Sequence, residues 1–180
     1  MTTFTNNTTA AYTDSGLTAN TTYYYVIRAF DGVTESPNSN QASATPLDNT
    51  ATNLALGRPA TSSSVEASGL DAGKAVDGSL ATRWSSLYSD PQWIMVDLGS
   101  TATISSVRLT WETAYARAYR IEVSDDATTW TTLFSTTTGD GGVDQLGLSG
   151  SGRYVRMYGT ARATAWGYSL WEFEVDGSSP

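Results

Sequence analysis

Apolar residues in this chain recur at every second position: Val107, Leu109 and Trp111; Tyr119, Ile121 and Val123; Trp171, Phe173 and Val175. A period of two places such residues on one face of a strand, and no stretch sustains the 3.6-residue period of a helix. Six strands are expected on this basis, over 93–98, 104–111, 119–124, 130–134, 153–158 and 170–175. Composition agrees, since Thr and Ser make up roughly a quarter of the chain beside 6 Trp and 10 Tyr, a mix that favours strands over helices. The expected fold is all-β, a sandwich whose sheets each bury one face.

Several chemistries are excluded by what is absent. With no His and no Cys there is no imidazole base, catalytic thiol, Cys/His zinc site or disulfide framework. The balance of 10 basic to 18 acidic groups, a net charge of -8, argues against nucleic acid and anionic membranes as partners and favours a cationic or neutral one. No apolar run reaches the length of a transmembrane helix and no export signal is evident, so secretion would depend on a signal outside this chain.

The chain reads as two segments. Residues 1–47 carry a β-rich run, Thr22 to Phe30, between the turn signals Asp14-Ser-Gly16 and Asp31-Gly32. The Leu17, Thr21, Tyr23 spacing and the closing stretch Asn38 to Pro46 resemble the C-terminal half of a fibronectin type III domain. Residues 48–52 read as a linker, and residues 53–177 are long enough for a full core. This second segment carries Asn53-Leu-Ala-Leu-Gly-Arg-Pro59, Ala75-Val-Asp-Gly78 with Thr82-Arg-Trp84, Gln92 to Gly99, Tyr119 to Asp126 followed by Trp130, and Arg153 to Tyr158. In that order these resemble the signatures of the coagulation-factor type C, or discoidin, domain, whose bacterial branch is carbohydrate-binding module family 32. The resemblance implies an eight-stranded jelly-roll β-sandwich with a binding site built from loops at one end.

Taken alone, Asp77-Gly78 is an ordinary turn. The resemblance implies that its loop holds a structural Ca²⁺ through backbone oxygens of Lys74 and Ser79, the side chains of Asp77 and Thr82, and, near the C-terminus, Glu172 with the carbonyl of Trp171.

Sugar sites combine an aromatic platform with a few charged partners. Loop residues of those types are Glu66, Arg83, Tyr88, Glu112, Trp166 and Tyr168. By default Glu66 and Glu112 would be solvated carboxylates and Arg83 half of a buried ion pair, whereas Trp84, Trp93, Trp111 and Trp171 read as core. Trp166 and Tyr168 stand out because their Gly/Ala/Thr-rich loop offers no apolar neighbours to bury them. The resemblance matches Glu66, Arg83, Tyr88 and Glu112 to sugar-binding positions in modules of bacterial chitosanases and glucanases, and the Trp166-Gly-Tyr168 loop to the stacking position. It implies a non-catalytic, monomeric module of a secreted bacterial glycoside hydrolase, covalently linked to its catalytic domain. The ligand expected first is chitosan, because carboxylates suit an ammonium, and then β-1,3-glucan. Galactose-type sugars come third, since the galactose-binding pattern uses a pocket His. A glycosidase built on Glu66 and Glu112 is disfavoured because such domains sit beside a separate catalytic domain. Adhesion to protein or phospholipid is disfavoured because these loops lack the apolar spikes and basic neighbours of the animal relatives.

Overall fold

Turn chemistry decides where strands stop. In this computed structural model, which describes residues 14–18, 21–45 and 52–179, it leaves ten strands and one short 3-10 helix among the described residues. The chain divides into two units, Met1–Thr50 and Ala51–Pro180.

In the first unit, β1 (Tyr23–Tyr25) pairs antiparallel with β2 (Ala42–Ala44), so the expected run over 22–30 is a strand only at its start. The Tyr23 hydroxyl accepts the N–H of Thr18 at 2.9 Å. Residues 1–13, 19–20 and 46–47 of the fibronectin-like segment and residues 48–51 of the expected linker lie outside the described residues.

The second unit holds β3 (Thr52–Asn53), β4 (Ala60–Ser62), the 3-10 turn η1 (Ala72–Ala75), β5 (Trp84–Ser85), β6 (Gln92–Trp111), β7 (Ala116–Ser124), β8 (Thr131–Thr136), β9 (Val143–Arg162) and β10 (Ser169–Ser178). Its eight strands make an antiparallel jelly-roll sandwich with hydrogen-bonded order β3-β10-β6-β9-β7-β8, while β4 joins β6 and β5 joins β10. Thr52, the last residue of the expected linker, already pairs with Gly177.

Alternation maps onto burial strand by strand. Ile94, Val96, Val107, Leu109 and Trp111 of β6, Tyr119, Ile121 and Val123 of β7, and Val155 and Met157 of β9 all enter one core with Trp84. β10 departs from the expected file. A register shift between Leu170 and Glu172 turns Leu170, Phe173 and Val175 inward and leaves Trp171 half-buried. Trp93 is half-buried too, because Ile94 and Val96 take the inner face of β6. Two expected strands, 93–98 and 104–111, are one: β6 runs through both, with a register shift between Asp97 and Ala102. Likewise β9 extends the expected 153–158 back to Val143.

Candidate functional site

Four loops of the second unit contribute to one pocket of about 360 Å³. Glu66 comes from the loop after β4, Arg83 and Tyr88 flank β5, Glu112 follows the last residue of β6, and Trp166 lies between β9 and β10. Ser85, Thr113 and Ala114 complete the lining and carried no signal in the sequence. A Ser beside a Trp in a strand, and a Thr-Ala pair in a turn, are too common to single out.

Each charged group is braced by its surroundings. Ser85 Oγ donates to Glu66 Oε2 at 2.6 Å and the Tyr88 hydroxyl donates to Glu66 Oε1. These two bonds hold the Glu66 carboxyl below its ordinary value, and the same bond to Glu66 pushes the Tyr88 phenol up. Glu112 Oε2 accepts the N–H of Ala114 at 3.0 Å, and the Glu112 N–H is tied to the Ser169 carbonyl at 3.0 Å. Arg83 forms no ion pair among the described residues. Its Nη1 donates to Ser169 Oγ at 3.2 Å and its guanidinium lies 5.9 Å from the Trp171 ring, which leaves further N–H donors for a ligand.

Trp166 is 56% exposed and meets Tyr88 edge to face, with ring centroids 5.6 Å apart at 83°. Tyr168 does not belong to the surface. It is fully buried, its N–H donates to Ser86 Oγ at 2.9 Å and its hydroxyl donates to Asp90. The slot for its ring comes from Gly159 on β9, where a Cβ would stand 2.4 Å from Tyr168 Cε1. A glycine on a neighbouring strand thus provides the burial that the loop's own composition does not.

Of the expected metal ligands, Asp77, Ser79, Thr82 and Glu172 come together elsewhere in this unit. Thr82 Oγ1 donates to both oxygens of Asp77, at 2.8 and 2.9 Å, and stands 3.1 Å from the Ser79 carbonyl. The Ser79 N–H bridges to Glu172 Oε1 at 2.9 Å, and Lys74 Nζ lies 3.8 Å from Asp77 Oδ2. Glu172 is 4% exposed, and burial pushes its carboxyl above the ordinary value although backbone N–H groups favour the anion. Across the ladder from Glu172 stands Thr110, whose hydroxyl is buried without a hydrogen-bond partner among the described residues. The oxygens of Asp77, Ser79, Thr82 and Glu172 are the type a hard cation takes, with the Lys74 ammonium standing beside Asp77. No group of three or more His, Cys, Asp or Glu that could hold a metal occurs among the described residues, so carbonyls and hydroxyls would supply most of the shell.

A family model described as the F5/8 type C domain matches residues 59–173. Among solved structures, chitosan-binding module 1 of a chitosanase/glucanase from Paenibacillus sp. IK-5 is 53% identical with a TM-score of 0.69, covering 70% of this chain and 99% of that one. Module 2 of the same enzyme, solved in complex with chitotriose, is 55% identical with a TM-score of 0.68, covering 69% and 100%. Among curated proteins, the polysaccharide lyase 8 family protein HylA of Enterococcus faecalis is 41% identical over 69 residues, which are 38% of this chain and 5% of that protein.

Proposed function

The chain belongs to the F5/8 type C domain family, and from that premise we propose that its second unit is a non-catalytic carbohydrate-binding module that takes the glucosamine end of chitosan in the pocket between Glu66 and Glu112. One observation carries the reading: two carboxylates, an arginine and an exposed indole converge on a single small pocket. A carboxylate meets an ammonium in a charge-assisted bond, roughly twice as strong as a neutral one. The indole offers its face to the C–H side of a sugar ring, and Arg83 supplies donors for ring hydroxyls. The net charge of -8 adds weak steering toward a polycation. The chitosan-binding modules that are 53% and 55% identical support the same substrate class.

Such a module would work outside the cell, joined to a glycoside hydrolase, as a monomer whose modest affinity is multiplied by its attachment to the enzyme. It would also carry Ca²⁺ on the carbonyls of Lys74, Ser79 and Trp171 and on Asp77, Thr82 and Glu172. When bound, the ion supplies a cross-link between the loop and β10.

Calorimetry with glucosamine oligosaccharides, their N-acetylated counterparts and laminari-oligosaccharides tests the substrate class, using the natural chain, Glu66→Ala and Trp166→Ala. Glucosamine oligosaccharides bind and the acetylated ones do not, because acetylation removes the charge that Glu66 and Glu112 recognise; either substitution weakens binding at least tenfold, roughly. Equal affinity for the acetylated sugars, or tighter binding of the neutral β-1,3-glucan, overturns the reading.

A further inference from the structure

An exposed indole on a loop of Ala, Thr and Gly needs something to hold it still, because each orientation it loses on binding subtracts from affinity. Arg162, the last residue of β9, supplies a brace. Its Nη1 donates to the carbonyl oxygens of both Ala165, at 3.3 Å, and Trp166, at 3.2 Å. Its Nε donates to Asp90 Oδ2 at 3.3 Å, and Asp90 in turn accepts the Tyr168 hydroxyl on Oδ1. One residue beyond the indole, Gly167 presses against Ser86 so closely that a Cβ would meet the Ser86 carbonyl oxygen at 2.4 Å. Asp90 lies two positions beyond Tyr88, the ring that meets Trp166 edge to face. Arg162 therefore ties the backbone beneath one aromatic to the side chain that anchors the loop of the other. Neither Arg162 nor Asp90 lines the pocket.

The geometry points to Arg162 and Asp90 as positioning residues that hold the Trp166 and Tyr88 rings for the part of a glycan chain extending beyond the pocket. The proposal depends on the carbohydrate-binding reading above. Each group that would hold the pocketed sugar keeps one brace that does not pass through Arg162: Ser85 in β5 for Glu66, which also accepts the Tyr88 hydroxyl, Ser169 in β10 for Arg83, and Ala114 for Glu112. Trp166 lines the same pocket and is more than half exposed, which leaves ring surface for a second sugar. Loss of the brace consequently weakens binding of an oligosaccharide more than binding of a single sugar. A planar guanidinium serves two carbonyls and a carboxylate at once, a geometry that the point charge of Lys does not reproduce.

The test compares glucosamine with its trisaccharide on the full chain, in the natural form and as Arg162→Ala, Arg162→Lys and Asp90→Asn. Arg162→Ala lowers trisaccharide affinity about five- to tenfold while leaving glucosamine within about twofold, and Arg162→Lys falls between. Acrylamide quenching of the Trp166 emission, isolated by difference against Trp166→Phe, rises in Arg162→Ala without any ligand present. Equal losses for both sugars, or no loss for either, overturn the proposal. Where Arg162→Ala lacks a cooperative melt, Arg162→Lys and Asp90→Asn carry the same comparison. If the natural chain binds no glucosamine oligosaccharide, the substrate reading fails separately; unchanged quenching then still overturns the brace.

Discussion

Glu66 accepts two hydrogen bonds before any ligand arrives, from Ser85 Oγ and the Tyr88 hydroxyl. Because they hold its carboxyl below the ordinary 4.5, the group stays anionic through mild acid and presents a fixed charge to an ammonium. The carboxylate is the form that binds, so the share of affinity for glucosamine oligosaccharides that Glu66 supplies is kept through its ordinary value and lost as pH drops through the lower folded one. On the alkaline side it falls as the sugar amine loses its proton. Tyr88→Phe removes one of the two donors and moves the acid limb upward, toward the ordinary value. A calorimetric pH series on both forms reads this directly, and coincident acid limbs would show that the phenol does not tune Glu66. At this scale the sequence exposes residues whose type is conspicuous for a loop: Glu66, Arg83, Tyr88, Glu112 and Trp166 all reach the pocket. It hides Ser85, whose role comes from a contact across 19 positions. It misleads at Tyr168, whose burial is decided by a glycine on another strand.

Between residues and the whole, β7 and β9 carry a polar network that no alternation rule anticipates. Glu122 sits mid-strand at 4% exposure, yet it is a carboxylate on the face opposite Ile121 and Val123. It is satisfied by Arg120 Nε at 2.8 Å and Arg156 Nε at 2.6 Å. Arg156 also stacks 3.9 Å from the Trp130 ring and 4.9 Å from Tyr158, and Arg120 covers Tyr158 at 4.8 Å. These stacked rings are shielded by guanidinium planes, so the row fastens β9 and β7 to the residue that precedes β8 rather than offering a second sugar platform. The two arginines differ in burial, with side chains 40% exposed for Arg120 and 16% for Arg156. Glu122→Ala strands the more buried guanidinium and costs about 2–3 kcal/mol, whereas Arg120→Ala leaves Glu122 paired and costs about 1 kcal/mol or less. Urea melts of the two variants check this; equal losses would mean that the carboxylate is not the hub. Strand interiors were legible here because alternation reports a buried face. The first half of β9 was not, since Val143 to Gly152 reads as Gly/Ser turn chemistry and becomes a strand only because β6 offers it a partner from Ala102 to Thr110. Gly150 there lies beneath Leu133 of β8, where a Cβ would stand 2.7 Å from that side chain.

Across the whole second unit, a loop near the start and the last strand meet through Ser79 and Glu172, a contact spanning 93 positions. Tethering points so distant restrains the unfolded chain most, and a chain without cysteine has no disulfide to do it. A cation on Asp77, Thr82 and Glu172 would act as that tether, and it would neutralise a buried carboxylate whose present donors are backbone N–H groups. Net charge alone points to a positive partner without saying where; the structure places four of the 18 acidic groups, Glu66 and Glu112 in a pocket and Asp77 and Glu172 in a separate cluster. The two are separable by experiment. A site filled at a hundred times its dissociation constant adds about 2.7 kcal/mol, which for a domain of this size raises the melting temperature by about 10 °C. Calcium therefore raises the melt of the natural chain relative to excess chelator, and Glu172→Gln loses most of that response. Glucosamine affinity measured at a temperature where the variant remains folded stays near that of the natural chain, because Glu172 does not line the pocket. Identical melts with calcium and with chelator would remove the cation from the account and leave the Ser79–Glu172 hydrogen bond as the tie between loop and strand.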